Sequence, residues 1–126
     1  MDTGKSALGL DGNVAAALGY PIGIIAIISL VMEKENRFVK FHAWQSILYH
    51  VAAIIVFVVL VVLIVILSIV LAMARLGALS ALLWLVYMVV FLGYFAGLIF
   101  AAVKAYGGNE FRLPFIGDMA EKFANK

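Results

Sequence analysis

The chain has 126 residues, of which 67% are hydrophobic and only 13% are charged. Soluble domains carry roughly 45–50% apolar and about 25% charged residues, and a chain this short could not hide so much apolar surface from water. The net charge of +2 is too small to indicate nucleic-acid binding, and the lack of cysteine excludes disulfides, thiolate metal sites and cysteine nucleophiles. The composition therefore predicts a single integral membrane domain that comprises residues 1–126.

Three apolar runs follow one another along the chain, at about residues 14–32, 43–74 and 79–103. Each reaches roughly the 17–25 residues that a helix needs to cross about 30 Å of hydrocarbon. The middle run is rich in β-branched residues, but it does not alternate and is too long for a strand, whose unpaired backbone groups lipid cannot satisfy. The sequence thus predicts an all-α fold: an integral membrane bundle of three transmembrane helices.

The ends of the runs carry signals for helix starts, bends and stops. Asp11-Gly12-Asn13 precedes the first run, where short polar side chains can accept hydrogen bonds from free helix N–H groups. Pro21 is expected to kink the first helix, because proline lacks the N–H that a helix interior uses. Gly77, in the short link 75–77, is expected to end the second helix in a left-handed conformation. So short a link predicts that the second and third helices are antiparallel neighbours.

Lysine and arginine are unequally divided between the two sides of a three-helix bundle. The loop 33–42 and the residues after 103 would share one side, and Lys5 and Arg75 would lie on the other. The shared side carries Lys34, Arg37, Lys40, Lys104, Arg112, Lys122 and Lys126. By the positive-inside rule this predicts a multi-pass protein of the cell (inner) membrane, with its N-terminus outside and its C-terminus in the cytoplasm.

A polar stripe marks the entrance to the second helix. At about 100° per residue, five polar side chains fall on one face there: His42, Gln45, Ser46, Tyr49 and His50. Polar groups at membrane depth normally face the protein interior or a wet cavity. They are candidates for a ligand, proton or partner site, and the alternative is an interhelical hydrogen-bond network. A metal site is not predicted, because the two histidines lie over two turns apart without a clear third ligand.

Small residues recur every four positions in the first and third helices. Gly19 and Gly23 lie on one such stripe, and Gly93 and Gly97 lie on the other. This spacing lets helix backbones approach closely in lipid. The glycines are therefore predicted to pack helices within the bundle, or alternatively to form a self-association face.

The tail, residues 109–126, is predicted to form a short amphipathic helix. Pro114 can open it, since the first turn of a helix does not need the missing N–H. An apolar face would hold Phe115, Ile116, Met119 and Phe123, with Asp118, Glu121, Lys122 and Asn125 opposite. Its acids and bases nearly cancel, so it lacks the character of a polybasic lipid anchor. Docking against the bundle or a partner is expected at least as much as lipid binding.

Three segments resemble a known group of membrane proteins: Leu10 to Ala16, Glu33 to Ser46, and Ala105 to Gly108 continuing through Leu113 to Asp118. The chain resembles small prokaryotic membrane proteins related to the twenty-kilodalton subunit of the chloroplast inner-envelope protein-import translocon. The resemblance implies a helical membrane fold. The plastid relatives are proposed to form or join a protein-conducting channel and are similar in having four spans, whereas this chain offers three.

The sequence contains no catalytic constellation, no phosphate-binding glycine loop and no acid within the apolar runs. We therefore predict a non-enzymatic membrane protein without metal or cofactor, which acts as a partner-binding or assembly component. Its expected partners are the lipid bilayer and either a second copy or another membrane protein, and no nucleic acid. The alternative is a small oligomeric channel or transporter built through the glycine stripes.

Overall fold

The computed structural model of the protein describes residues 2–126, which fold into five α-helices. These are α1 (Gly12–Leu18), α2 (Gly23–Met32), α3 (Arg37–Met73), α4 (Ser80–Tyr106) and α5 (Ile116–Ala124), with a 3-10 turn at Gly77–Leu79 before α4. The prediction of an all-α fold is confirmed. In the described part of the chain, two helices, α3 and the 3-10 turn continued by α4, are long and apolar enough to cross a membrane. A third such helix is not confirmed.

The first apolar run folds as two short helices and not as one kinked helix. α1 and α2 have lengths of about 10 and 15 Å, so neither reaches across the roughly 30 Å of a hydrocarbon core. The chain leaves the helical path between Gly19 and Ile22, around Pro21, which cannot donate a backbone hydrogen bond. The proline therefore breaks the run, where the sequence had indicated only a bend.

One compact unit consists of residues Ala52–Ala96, which form an antiparallel pair of helical arms from α3 and α4. The Phe57 ring packs against Tyr87 and Tyr94, with centroid distances of 5.5 and 5.7 Å. Most other apolar side chains of these arms are exposed, including Val58 and Val62. An exposed apolar surface of this extent is unusual for a soluble monomer and suits contact with lipid.

The link between these arms ends α3 differently from the prediction. Arg75, with a φ of +61°, takes the left-handed position that was assigned to Gly77. The Leu76 N–H donates to Leu71 O at 2.8 Å and the Arg75 N–H donates to Ala72 O at 3.0 Å, which is the Schellman pattern. Gly77 instead begins the 3-10 turn. The helix thus stops two residues earlier than its glycine indicated.

The second compact unit combines the chain up to Val51 with Gly97–Lys126. In its core, Phe41 on α3 packs against Ala120 and Ala124 of α5, with Trp44 and Leu48 beside them. The predicted tail helix therefore exists, and it docks on the start of α3. Its buried face consists of small residues, whereas Phe115 and Met119 of the predicted apolar face point outwards.

Hydrogen bonds within this unit tie the N-terminal segment to the turn between α2 and α3. The Glu33 carboxylate accepts from the Ala7 N–H at 2.7 Å and from the Asn36 N–H at 3.1 Å. The Asn36 side-chain amide donates to Thr3 O at 2.8 Å and to Lys5 O at 3.1 Å. These bonds hold residues 3–7 beside the 33–36 turn.

The start of α1 is held by partners other than the predicted cap. Asp11 occupies the N-cap position but makes no capping hydrogen bond, because its carboxylate pairs with Lys5 at 2.5 Å. The Thr3 hydroxyl instead accepts from the Asn13 N–H at 2.7 Å. The Asn13 side chain donates to Tyr106 O at 2.9 Å, at the last residue of α4. The N-terminal segment is therefore a direct neighbour of the C-terminal end of α4.

Candidate functional site

The polar stripe of α3 is buried, as the helical spacing predicted. His42, Gln45 and Ser46 are at most 1% exposed, and Tyr49 and His50 are half-buried on the same face. These residues lie on the first turns of α3, before it continues into the unit of helical arms. A buried polar side chain is costly unless it finds a hydrogen-bond partner, so the partners decide what the stripe does.

Two members of the stripe bind the break between α1 and α2. The Ser46 hydroxyl donates to Gly19 O at 2.6 Å, and His50 Nε2 donates to Tyr20 O at 2.9 Å. A broken helix leaves carbonyl groups without their usual intrahelical donors. The two side chains of α3 supply those donors, which stabilises the break in a buried setting.

Two other members bind the extended segment that follows α4. His42 Nε2 donates to Asn109 O at 3.0 Å. The Gln45 amide is bidentate, since its nitrogen donates to Phe111 O at 2.8 Å and its oxygen accepts from the Leu113 N–H at 2.9 Å. An extended segment has no internal backbone pairs, so these side chains provide what a neighbouring strand would provide.

Tyr20 joins the two halves of this network. Because His42 Nε2 donates its hydrogen to Asn109 O, the other ring nitrogen of a neutral imidazole must accept. The Tyr20 hydroxyl therefore donates to His42 Nδ1, at 2.6 Å, and it accepts from the Gln45 amide nitrogen at 2.8 Å. Sequence reasoning missed Tyr20, although its position beside Pro21 marks it as part of the helix break.

In this network, buried side chains of α3 satisfy backbone groups of other segments by hydrogen bonds, and those backbone groups satisfy the side chains in return. The ring nitrogens of His42, the amide of Gln45 and the hydroxyl of Ser46 are all engaged within the chain. Among the described residues, no group of three or more histidine, cysteine or acidic side chains is placed to hold a metal ion. The interhelical network, which the sequence offered as one alternative, is the one that the geometry matches.

The four predicted packing glycines have different surroundings. A Cβ on Gly97 would overlap the Tyr49 hydroxyl, which lies directly against the backbone of α4. A Cβ on Gly19 would lie 3.4 Å from Ala26 Cβ, and one on Gly23 would lie 3.6 Å from the His50 ring. Gly93 has no such neighbour within 4 Å. Three of these glycines therefore serve packing inside the chain, and Gly97 is already covered by the chain's own Tyr49.

An ion cluster joins the start of α3 to the tail. Arg37 pairs with Glu110 and, at 3.3 Å, with Glu121. Arg112 pairs with Glu121 and, at 3.8 Å, with Asp118. The hydrogen bond from Arg112 is the main cause that lowers the pKa of the Glu121 carboxyl, with a further contribution from the charge of Arg37. The pairs of Arg37 could not be inferred from sequence spacing, because this residue lies over 70 residues from both partners.

The family is decided by comparison with known proteins. The family model described as the magnetosome magnetite crystal formation protein family, MamF/MmsF, matches residues 7–120. The chain belongs to this family. That match overturns the resemblance to the chloroplast import-translocon subunit and its relatives, because every segment that carried it lies within the matched residues. The resemblance was wrong, and the import-channel role that it implied is therefore unsupported.

Named relatives of this MamF/MmsF chain are membrane proteins of archaea. A UPF0132 membrane protein of Methanocaldococcus jannaschii is 40% identical over 127 residues, which cover 96% of each chain. One from Archaeoglobus fulgidus is 40% identical over 111 residues, covering 87% of this chain and 92% of the relative. A second protein of M. jannaschii is 28% identical over 122 residues, covering 93% and 73%. No solved structure matches the chain. The predicted membrane character is thus confirmed at the level of the family.

Proposed function

We propose that the protein is a non-enzymatic component of the cell membrane, which is anchored by two spans and binds a partner through the unit that holds both chain ends. The observation that carries the proposal is the commitment of the polar stripe to the chain's own backbone. Side chains that bind the Gly19 and Phe111 carbonyls are not available to a substrate. The name of the family refers to magnetite crystal formation, but Glu110, Asp118 and Glu121, carboxylates that could contact a mineral, are paired with arginine.

The spans in this proposal are the two helical arms. Residues 52–73 of α3 and 80–96 of α4 have lengths of about 33 and 26 Å, which fit a hydrocarbon core of roughly 30 Å. The alternative is the three-span arrangement, in which residues 14–32 also cross and the N-terminus lies opposite the tail. The bonds from Ala7 and Asn36 support two spans, since a hydrogen bond cannot join segments on opposite faces of a bilayer.

Charge supports one orientation of the two spans. With residues 2–11, the 33–36 turn and the tail on the same side, eight of the nine lysines and arginines share it, and Arg75 alone lies opposite. The positive-inside rule then favours a cytoplasmic position for both chain ends. The proposal therefore keeps the C-terminus in the cytoplasm and moves the N-terminus there as well.

Single cysteines test the arrangement, because the chain has none of its own. Ala7→Cys, Glu35→Cys, Ala78→Cys and Lys122→Cys replace exposed residues in the N-terminal segment, the 33–36 turn, the inter-helix link and the tail. In intact cells, an impermeant thiol reagent should label only the cysteine at position 78. Labelling of positions 7 and 78 together, without 35 and 122, would support three spans and contradict two.

The partner surface in this proposal is the cleft between the N-terminal loop and the 33–36 turn. A cavity of about 290 Å³ is lined there by Lys5, Ser6, Ala7, Met32, Glu33, Lys34 and Glu35. The Glu33 and Asn36 side chains fix its walls in advance, which lowers the entropy lost on binding. A photo-crosslinking residue at Glu35 should capture one protein, and reversing the charge of Lys34 should abolish that adduct. The same residue at Ala78 is the control, and equal adducts at both positions, or lipid adducts alone, would contradict the proposal.

A further inference from the structure

The tail turns back beside α3, and the turn exposes the Phe115 side chain. From Asn109 to Leu113 the segment advances from His42 to Gln45, which is about 4.5 Å along α3. After the turn, α5 returns, so that Phe123 packs on Trp44 and the Lys126 carbonyl accepts from Lys40 at 3.4 Å. The turn thus lies at the point where the tail reverses its direction along the start of α3.

The turn holds Phe115 in an unusual conformation. The Ile116 N–H donates to Pro114 O at 2.7 Å, and Phe115 has φ +64° and ψ −45°, which is the geometry of a γ-turn. A non-glycine residue with positive φ is strained, and such strain persists only where surrounding contacts impose it. The Phe115 ring is 88% exposed. A strained turn that presents an aromatic side chain outwards suits insertion into an apolar phase.

The outer face of α5 changes from apolar to cationic along its length. Phe115 directly precedes the helix and Met119 lies on its first turn, whereas Lys122 lies on its last turn and Lys126 two residues beyond its end. A surface cavity of about 550 Å³ on this face is lined by Met119, Lys122, Phe123, Asn125 and Lys126. Its lining combines two large apolar side chains with two ammonium groups, and neither aspartate nor glutamate is among these lining residues.

The structure separates the charges that nearly cancel in the tail's sequence. The tail carboxylates lie with Arg37 and Arg112 in the ion cluster. Lys40, Lys122 and Lys126 form no ion pair within the described residues, and Lys126 lies over the Phe123 ring at 5.4 Å. Lys122 and Lys126 are therefore available to an external anion, although the acids and bases of the tail nearly cancel.

We propose that the outer face of α5 binds an anionic phospholipid, with Phe115 and Met119 among the acyl chains and Lys122 and Lys126 on the headgroup phosphate. Two observations select a lipid as the occupant. The gradient from apolar to cationic residues matches the order of acyl chain and phosphate in a leaflet. The Trp44 ring, whose centroid lies 4.8 Å from that of the cavity-lining Phe123, is of the type that concentrates at the membrane interface. The inference goes beyond the proposed function and does not depend on which side is cytoplasmic.

Trp44 fluorescence tests the headgroup contact. The full-length Trp84→Phe protein is reconstituted in vesicles with the same lipids in both leaflets, and quenching by chain-brominated phosphatidylglycerol is compared with quenching by chain-brominated phosphatidylcholine. Phosphatidylglycerol should be preferred, and Lys122→Gln with Lys126→Gln should lower that preference about fivefold per lysine. The charge-matched control is Arg75→Gln with Lys104→Gln, which should retain it. No preference in the parent protein, or an equal loss in both double variants, would overturn the proposal.

A tryptophan at the turn tests the depth of the inserted face. Phe115→Trp is made with Trp44→Phe and Trp84→Phe, so that its emission is the only indole signal. Insertion predicts blue-shifted emission that brominated chains quench, and Asp118→Trp in the same background, on an exposed polar position, should emit as in water. Water-like emission at position 115 would overturn the insertion of Phe115. The cysteine labelling tests the number of spans independently of this result.

Discussion

Replacement of Gln45 by leucine should release the tail from α3. The Gln45 amide is the shared partner of the Tyr20 hydroxyl, the Phe111 carbonyl and the Leu113 N–H. Leucine has a similar volume and no hydrogen-bonding atoms. The change therefore leaves two backbone groups without a partner while it creates little empty space. The Tyr20 hydroxyl keeps its hydrogen bond to His42 Nδ1.

The expected loss follows from the two backbone groups. A buried donor or acceptor that loses its partner costs about 1–3 kcal/mol, and the greater apolarity of leucine offsets part of the sum. We expect the free energy of tail docking to fall by about 2–4 kcal/mol, which corresponds to a decrease of about 30-fold to 700-fold in amide protection. Hydrogen exchange of residues 109–117, followed by mass spectrometry on the protein in detergent, measures this quantity.

Asn109→Leu provides the matched control, because it removes an amide from the same segment without removing a partner from the network. The exposed residue contributes its backbone carbonyl to His42, and the substitution keeps that carbonyl. Exchange in this variant should stay within a few-fold of the parent. If Gln45→Leu exchanges no faster than Asn109→Leu, the bidentate contact does not hold the tail and the reasoning fails.

Three further changes test other parts of the fold. Gly97→Ala should lower thermal stability by about 1–3 kcal/mol because its Cβ meets Tyr49, whereas Gly93→Ala, with open space around it, should be neutral; equal effects would contradict the packing. Since pairing with Arg112 lowers the Glu121 pKa below its usual 4.5, that contribution to tail docking is present above this value and lost as the pH falls through the lowered pKa. Proteolysis of the tail at decreasing pH should show the loss, and Glu121→Gln should remove the pH dependence. Asn36→Ala should cost about 1–2 kcal/mol, since it removes the bonds to Thr3 and Lys5 and the cap on Val39; unchanged hydrogen exchange at residues 3–7 would argue against that role.

The sequence predicted what depends on local periodicity. The helical repeat placed His42, Gln45 and Ser46 on one face because 100° per residue holds along any regular helix. The apolar runs likewise indicated both helices, with α4 within three residues of its bounds, whereas α3 begins six residues before the run at 43 because its first turns are polar. What the repeat could not supply was the identity of the partners. Gly19 O lies 27 residues from Ser46, and Leu113 N lies 68 residues from Gln45.

For the tail, the helical repeat predicted a helix but not which of its faces is buried. Periodicity grouped Phe115, Met119 and Phe123 on one face, and burial was expected to follow apolarity. The contact with Phe41 and Trp44 instead selects Ala120 and Ala124, since small side chains allow the helices to approach closely. Two apolar phases are available to a membrane protein, its own core and the lipid, and the hydrophobic pattern of one helix cannot distinguish between them.

The polar stripe of α3 supplies hydrogen-bond partners to the backbone at two breaks in the helical path, each marked by a proline. Pro21 interrupts a run that would otherwise have been long enough to cross the bilayer, and Pro114 lies at the end of an extended segment without internal pairs. Each break leaves backbone carbonyls without intrahelical donors. The stripe on α3 meets the first break through Ser46 and the second through Gln45. The polar residues of the stripe are therefore required by the backbone of this fold. A search for external ligands is better directed to Lys122 and Lys126, which form no ion pair within the described residues, and to the exposed Phe115 ring.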